Sequence, residues 1–233
     1  MESTDVLVIG SGIAGLCAAI EAARTGATVA VASVGKTMSG SSFFPGTWGL
    51  GLIGPVDEND EQDLIDTIQA VGGGVADPTL VQTFVHGIPQ AIQWLEQDLG
   101  VELQRPQSAE SARQKQFIPC FDHKTRMWRG LTRKPLEDAC TAQIETLGIR
   151  LLPHHELIDL NEETPGKIVG ATLYDRTNEH LVPMAAKATI IAAGGTGGLF
   201  ERSLTSADVL SSSQAIALAH GASPVSYTHL RAH

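Results

Sequence analysis

The stretch DVLVIGSGIAG, residues 5–15, decides the fold of this 233-residue chain. Its first half, residues 5–9, is a short apolar run, which is typical of a strand buried on both faces of a sheet. Three glycines, Gly10, Gly12 and Gly15, follow at once. Because glycine tolerates tight turns and close backbone approach, the stretch predicts a strand followed by a closely packed turn.

The next residues complete a larger unit. Residues 16–25 have a helical pattern, with Ala14, Ala18 and Ala22 at helical spacing, and we expect this small-residue face to lie against the sheet. Residues 28–32 are apolar again and predict a second buried strand. A strand, a helix and a further strand in this order predict a βαβ unit.

Each glycine of the motif has a mechanical role in such a unit. Gly10 makes the turn out of the strand, Gly12 lets a pyrophosphate approach the backbone, and Gly15 lets the helix pack closely. The pyrophosphate then lies on free N–H groups at the helix start. A carboxylate ordinarily ends the second strand and binds the ribose, but Ser33 stands there. The motif therefore predicts a dinucleotide site and argues against a simple NAD site.

The second informative stretch is a loop without charge. Residues 37–56 contain five glycines and two prolines and no charged side chain. A membrane-spanning helix of that composition is unfavourable. The aromatic residues Phe43, Phe44 and Trp48 argue against a mobile surface loop. We therefore expect a loop that wraps a ligand with N–H and hydroxyl donors.

The rest of the chain predicts further elements. Helices are expected at residues 60–71, from Pro78 after the capping Asp77 to about His86, around Ile92 to Leu99 after a break or kink at Pro89, and at residues 135–147. Strands are expected at residues 149–152, 156–160, 168–174, 180–184 and 187–193. The sequence AAGG, residues 192–195, follows the last strand and returns the chain to the dinucleotide site. This interrupted layout favours an FAD fold over a contiguous NAD fold.

Composition excludes other functions. The formal net charge of −10 argues against nucleic-acid binding, which needs clustered basic residues. Three scattered cysteines and the lack of a basic and apolar leader favour a cytoplasmic protein. We expect His123, Lys124 and Arg126 to lie in a solvated loop, the alternative being contact with a carboxylate substrate. His154 and His155 are neighbours in a strand and point to opposite faces, so no metal site is expected.

These motifs together resemble the flavoprotein family of succinate dehydrogenase, fumarate reductase and L-aspartate oxidase, and their order is most similar to that in L-aspartate oxidases. The resemblance rests on residues 10–15, Ser33, residues 40–42, Asp66-Thr67 with residues 72–74, Trp94-Leu95 before Gly100-Val101, and residues 192–195. It implies an α/β, Rossmann-like FAD-binding domain with a parallel sheet, helices and a small antiparallel β element, incomplete at its C-terminus.

The resemblance also implies the cofactor contacts. Pyrophosphate, ribose, flavin and adenine would be held by Gly10, Ser11, Gly12, Ile13, Ala14, Gly15, Ser33, Gly40, Ser41, Ser42, Phe43, Gly46, Thr47, Trp48, Gly49, Leu157, Ala193, Gly194 and Ser212. Ser212 stands where the family has the aspartate of a Gly-Asp-Gly motif and would replace it only in part. No histidine occupies the position where respiratory members attach flavin covalently, so we expect non-covalent FAD.

The C-terminal tail differs from the rest of the chain. Residues 225–233, VSYTHLRAH, resemble the translated read-through of a transposase-type sequencing adapter. We expect residues 1–224 to be the N-terminal part of the FAD-binding domain and the tail to be an artefact, the alternative being a genuine irregular C-terminus.

The implied activity is transfer of a hydride between non-covalent FAD and a small carboxylate substrate, a dicarboxylate or an amino acid. The alternatives are reduction of another unsaturated carbonyl compound, or a nucleotide-binding fragment without turnover. The family's substrate-binding Arg and His residues lie in a capping domain and a C-terminal return. We expect both to lie beyond these 233 residues, so the catalytic residues stay unassigned and the fragment alone is expected to be inactive.

Overall fold

The computed structural model describes residues 2–44, 50–108, 110–111, 124–203 and 205–223. In chain order the elements are β1 (Glu2–Ile9), α1 (Ile13–Arg24), β2 (Val29–Ser33), β3 (Leu50–Gly54), α2 (Glu58–Val71), α3 (Pro78–Gln93), β4 (Met127–Leu131), α4 (Arg133–Leu147), β5 (Arg150–Pro153), β6 (His155–Thr164), β7 (Lys167–Asp175), β8 (His180–Ile191) and α5 (Ser212–Ala219). The described residues form two compact units, one within Met1–Trp48 and Cys140–Ser223 and the other within Gly49–Ala139. Among the helices described, none is long and apolar enough to cross a membrane.

The first unit contains a six-stranded sheet in the order β5-β2-β1-β8-β7-β6. β1 pairs in parallel with both β2 and β8, and β2 pairs in parallel with β5. β7 runs antiparallel to both β6 and β8. The βαβ unit and the mostly parallel sheet with an antiparallel part are therefore confirmed.

The face of α1 that packs inward is not the predicted one. Ala14 is exposed and Ala18 and Ala22 are only partly buried, whereas the buried face consists of Gly15, Leu16, Ala19, Ile20 and Ala23. The reason is that α1 approaches β1 closely at Gly15. The helix face that contains Gly15 therefore faces the sheet, and Ala14, Ala18 and Ala22 lie beside that face.

The last strand of the sheet is longer than predicted. Instead of two strands at residues 180–184 and 187–193, the single strand β8 runs from His180 to Ile191. Its first half pairs with β7 and its second half with β1. Lys187 interrupts the apolar pattern, but it is solvent-exposed and its ammonium lies 2.6 Å from Asp5 Oδ1. A charged residue on the exposed side of a strand does not end that strand.

The second unit contains α2, α3 and the β3–β4 pair. Asp57 caps α2 and Asp77 caps α3, each by accepting two backbone N–H bonds. Pro89 does not break the helix, because α3 continues to Gln93 and a π-helical turn follows at residues 94–98, and the alternative of a kink stays a prediction. Proline removes one backbone donor from a helix, and the buried Val81, Val85 and Ile88 keep the helix packed across that position.

Part of the predicted loop at residues 37–56 is a strand. β3 pairs antiparallel with β4, and one glycine on each strand, Gly51 on β3 and Gly130 on β4, leaves space for the Trp128 side chain. A Cβ on Gly51 would lie 2.8 Å from Trp128 Nε1, and one on Gly130 would lie 2.5 Å from the Trp128 ring. The glycines that suggested a loop therefore make room for an aromatic residue on the pair.

Arg126, just before β4, does not lie in a solvated loop, so that prediction is wrong for this residue. The Arg126 side chain is 0% exposed and contacts Asp60 and Asp63, the latter at 2.7 Å. Its Nη2 also lies 3.4 Å from Thr67 Oγ1. Lys124 is half-exposed and lies 2.6 Å from Asp63, while His123 is outside the described residues.

Candidate functional site

The site is built at one edge of the first unit's sheet. The carboxyl ends of parallel strands meet at the same edge, which is where α/β sheets bind nucleotides. Gly10 follows β1 there, and its N–H donates to Ala32 O of β2 at 2.8 Å. Ala192 follows β8, and its N–H donates to Ile9 O at 2.7 Å. Three strand ends are thus joined directly beneath the glycine turn.

Two glycines of the motif are required by packing. Gly10 has a φ of +111°, and a Cβ there would lie 2.2 Å from Ala192 O. A Cβ on Gly15 would lie 2.0 Å from Gly10 O. No side chain fits at such distances, so both glycines are needed for the fold itself.

Gly12, unlike Gly10 and Gly15, is not required by packing. Among the described residues, a Cβ on Gly12 would meet only Ser42 Oγ, at 3.8 Å, and the Gly12 φ of −71° suits any residue. Packing of the protein therefore does not explain the glycine. The open space above its backbone fits close approach by a ligand, which is the role predicted for it.

The start of α1 presents backbone donors to this space. The first N–H groups of a helix have no partner within the helix, and the N-cap residue Gly12 has no side chain to satisfy them. Ser42 Oγ accepts from Ile13 N at a long 3.4 Å. The first turn carries no acidic residue, so its partial positive charge suits an anion.

Ser11 and Ser33 form a buried pair that organises the following loop. Ser11 Oγ donates to Ser33 Oγ at 3.0 Å and accepts from Met38 N at 3.1 Å. Ser33 Oγ donates to Lys36 O at 3.2 Å. The proton of each hydroxyl is used within the protein, so a ribose hydroxyl would have to donate to Ser33. The predicted ribose contact of Ser33 stays a prediction.

The Ser-rich loop lies next to this pair. Gly40 has a φ of +77°, and Ser41–Phe43 form a turn of 3₁₀-helix with the Phe43 side chain buried. The predicted contacts Gly46, Thr47, Trp48 and Gly49 lie outside the described residues.

The described residues that follow β8, from Ala192 to α5, lie at the same edge of the sheet as the glycine motif. Gly194 has a φ of +80° and lies against Val209, and its carbonyl accepts from Gln214 Nε2 in the first turn of α5. Ser212 is the first residue of that helix, and Ala193, beside Gly194, is partly buried. The predicted residues Ala193, Gly194 and Ser212 therefore belong to one connected segment.

Leu157 lies in β6, and its side chain is 4% exposed within the core of the sheet. Only its backbone could reach an adenine, which is how the contact was predicted.

One residue at this edge was not predicted. Asp208 Oδ2 would lie 3.0 Å from a Cβ on Gly35, two residues after the end of β2. Asp208 Oδ1 is buried and has no hydrogen-bond partner in the described part of the chain. A carboxylate thus lies beside Gly35, two residues after Ser33, the position where the sequence lacks one. It comes from a segment 175 residues away along the chain, so no local pattern indicated it.

The cysteine thiols of the described residues are not nucleophiles, and His155 makes a contact within the protein. Burial raises the pKa of the Cys17 thiol to about 11 and that of the Cys140 thiol to about 12, so neither is a nucleophile at neutral pH. His155 Nδ1 lies 2.8 Å from Pro153 O. Within the described ranges no three His, Cys, Asp or Glu side chains are grouped so that they could hold a metal.

Comparison with known proteins agrees with this geometry. A family profile described as FAD binding domain matches residues 5–228. An L-aspartate oxidase of Halobacterium salinarum is 34% identical over 217 residues, which cover 86% of this chain and 39% of that protein. A vinyl phenol reductase of Lactiplantibacillus plantarum is 27% identical, over 83% of this chain and 38% of that protein.

Among solved structures, a flavocytochrome c3 fumarate reductase has a TM-score of 0.74 at 22% identity, covering 95% of this chain and 41% of that chain. This likeness shows the fold. The chain spans about two fifths of the length of the curated relatives it matches. The family profile covers nearly all residues, and the glycine motif Gly10–Gly15 has the geometry that such a domain needs. The chain therefore belongs to the FAD binding domain family, and FAD is its cofactor.

Proposed function

We propose that the whole protein is an oxidoreductase that transfers a hydride between non-covalently bound FAD and a small carboxylate substrate, either a dicarboxylate or an amino acid. The observation that carries the proposal is the open backbone at Gly12, next to an uncapped helix start within an FAD binding domain. The resemblance to L-aspartate oxidases supports the substrate class.

The residues present fit the pyrophosphate of FAD. Its two negative charges would lie over Gly12, against the N–H groups of Ile13, Ala14 and Gly15. Ser42 Oγ, already close to Ile13 N, would turn its proton toward a phosphate oxygen. No acidic side chain of the first helical turn opposes this charge.

Asp208 fits the ribose of the adenosine half. A carboxylate accepts hydrogen bonds from both hydroxyls of a vicinal diol, which is the role of the acidic residue in related folds. A buried carboxylate oxygen without a partner costs free energy, and Asp208 Oδ1 is in that state. A small side-chain rotation would bring it to a ribose beside Gly35.

When bound, FAD supplies a flavin ring that accepts or returns a hydride. The chain's own residues hold and orient it. The first turn of α5, with Ser212 and Gln214, would point its N–H groups at the flavin side of the edge, where they favour negative charge.

Free thiols at Cys17 and Cys140 support a cytoplasmic location.

Replacement of Gly12 by alanine tests cofactor binding. The added methyl group has space in the protein and would occupy only the path of the pyrophosphate, so we expect Gly12→Ala to keep its thermal stability and lose FAD affinity at least tenfold. Gly87→Ala is the matched control, because a Cβ there meets no atom within 4 Å. FAD binding is measured by quenching of flavin fluorescence. Equal FAD affinity of Gly12→Ala and wild type would show that the pyrophosphate does not bind at this position.

Flavin release tests the non-covalent attachment. Yellow colour that leaves the protein on acid precipitation supports it, whereas colour that stays in the pellet contradicts it.

The substrate class is tested on the whole protein that contains this chain. L-Aspartate and succinate should bleach the flavin absorbance, and fumarate should restore the absorbance of the reduced protein. The similarity to a vinyl phenol reductase favours a second candidate, reduction of another unsaturated compound. Reoxidation by a vinyl phenol, with no response to any of the carboxylates, would select that candidate.

A further inference from the structure

The short helix α5 depends on tertiary contacts for its position. It has eight residues, Ser212–Ala219, and isolated helices of that length are unstable in water. Ile216 packs against the core of the sheet, and Gln214 Nε2 donates to Gly194 O at the cofactor edge. The other end of the helix is held by His220, its C-cap residue.

His220 lies between two carboxylates of β6. Its Nδ1 is 2.7 Å from Glu162 Oε1 and its Nε2 is 2.7 Å from Asp159 Oδ1. The His220 side chain is 19% exposed, whereas Asp159 is 63% exposed. These are the charged groups of β6 that face the imidazole, and α5 itself, SSQAIALA, carries no charged residue.

This geometry requires a specific protonation state. Ionised carboxylates only accept hydrogen bonds, and a neutral imidazole has a single N–H. Both short contacts can therefore be hydrogen bonds only when His220 is an imidazolium. The hydrogen bonds to Asp159 and then Glu162 raise the pKa of His220, and the bond from His220 lowers the pKa of Asp159. On deprotonation, one ring nitrogen would present a lone pair to a carboxylate oxygen.

We propose that His220 is a positioning residue for the cofactor, which as an imidazolium clamps the end of α5 to β6 and so holds Ser212 and Gln214 at the FAD edge. The proposal rests on the proposed function. Because a helix of two turns moves as a rigid piece, loss of the clamp at its end displaces its first turn. FAD affinity then falls as pH rises and His220 loses its proton.

The test measures FAD affinity from pH 5.5 to 8.5 in four proteins. Wild type should bind FAD about fivefold or more weakly above the pKa of His220 than below it. His220→Gln should bind weakly at every pH. His220→Arg, which stays charged and offers two donor groups, should bind tightly at every pH. His86→Gln is the control, because His86 is 58% exposed and lies 4.0 Å from Glu61, and it should keep the wild-type profile.

A pH profile that His220→Gln leaves unchanged would overturn the proposal, as would weak binding by His220→Arg. If no protein binds FAD at all, the proposed function fails and the clamp is judged separately by amide hydrogen exchange of residues 212–219. After correction for the intrinsic rate, the wild-type helix should lose protection as pH rises, while the His220→Gln helix should be unprotected throughout. Equal protection in both would refute the clamp.

Discussion

Residues 10–15 and residues 124–129 are both short segments with unusual composition, and they differ in what determines their structure. The turn of the glycine segment joins β1 to α1 and depends mainly on neighbours close in sequence, since Gly15 meets Gly10, although Gly10 also packs against Ala192 after β8. The basic segment is fixed by Asp60 and Asp63, more than sixty residues earlier. The comparison separates a structure encoded locally from one encoded by a distant partner.

The largest effect should follow a change in the glycine segment. A Cβ on Gly10 would lie 2.2 Å from Ala192 O, on a residue with a φ of +111°, so Gly10→Ala must move backbone. We expect a loss of about 4 kcal/mol in the free energy of unfolding, measured by urea denaturation, because overpacking and strain act together.

Gly26→Ala is the matched control for Gly10. Its φ is +89°, but no atom lies within 4 Å of the added Cβ, so only the conformational cost of about 1 kcal/mol applies. Equal losses for the two variants would show that strain at positive φ, and not contact with β8, makes Gly10 necessary.

The basic segment should give the next largest effect. Arg126→Met leaves Asp60 and Asp63 without their buried partner, and we expect a loss of about 2 kcal/mol. This is below the range for fully buried pairs, because Asp63 is 44% exposed. Arg105→Met is the control: Arg105 is 52% exposed and lies 2.6 Å from Glu96, so its removal should cost about 0.5 kcal/mol or less. Similar costs for both would mean that burial does not distinguish the two arginines.

The same distinction explains what the sequence predicted. The βαβ unit, the helix beginning at Pro78 and the parallel sheet follow from patterns that span a few residues, and all are present. The glycine motif indicated the cofactor edge for the same reason. Strand β3 was missed because its residue Gly51 makes room for Trp128, which lies 77 residues later in the sequence.

The parts of the proposed site that the sequence did not indicate depend on long-range contacts. Asp208 reaches Gly35, and His220 reaches Asp159 and Glu162. Nothing in the local pattern around Asp208 or His220 distinguishes them from solvated residues. Their partners become visible only when the sheet order places β8, β6 and the end of β2 in space.

A smaller effect on the free energy of unfolding is expected at the N-cap of α3, which the local sequence also predicted. Asp77 Oδ1 accepts from Thr79 N at 2.8 Å and from Leu80 N at 3.1 Å. Asp77→Ala should lower the free energy of unfolding by about 1 kcal/mol, the usual cost of losing an N-cap. Asp77→Asn keeps an accepting oxygen and should retain most of the stability. A full loss in Asp77→Asn would show that charge at the helix start, and not the capping bond, is what matters.

The smallest effect concerns the turn after β7, which is as local as the glycine motif. Asp175 Oδ1 accepts from Thr177 N at 2.8 Å and from Asn178 N at 3.1 Å, and Oδ2 accepts from Asn178 Nδ2 at 2.8 Å. Hydrogen bonds from the Asn178 side chain and backbone lower the pKa of Asp175 to about 2. Because the folded pKa is below the unfolded value of about 3.9, this stabilisation is complete above that value and is lost as pH falls toward 2.

Asp175→Asn replaces the carboxylate by an amide that can still accept backbone bonds but opposes its own donors to Asn178. Its urea midpoint should therefore lie slightly below that of wild type at pH 6, and the difference should shrink from pH 4 to pH 3. Glu179→Gln, an exposed change in the same turn, should match wild type at each pH. A difference that stays constant down to pH 3 would mean that shape rather than the ionised carboxylate holds the turn. Local geometry alone would then account for this turn, as it does for the contact of Gly15 with Gly10.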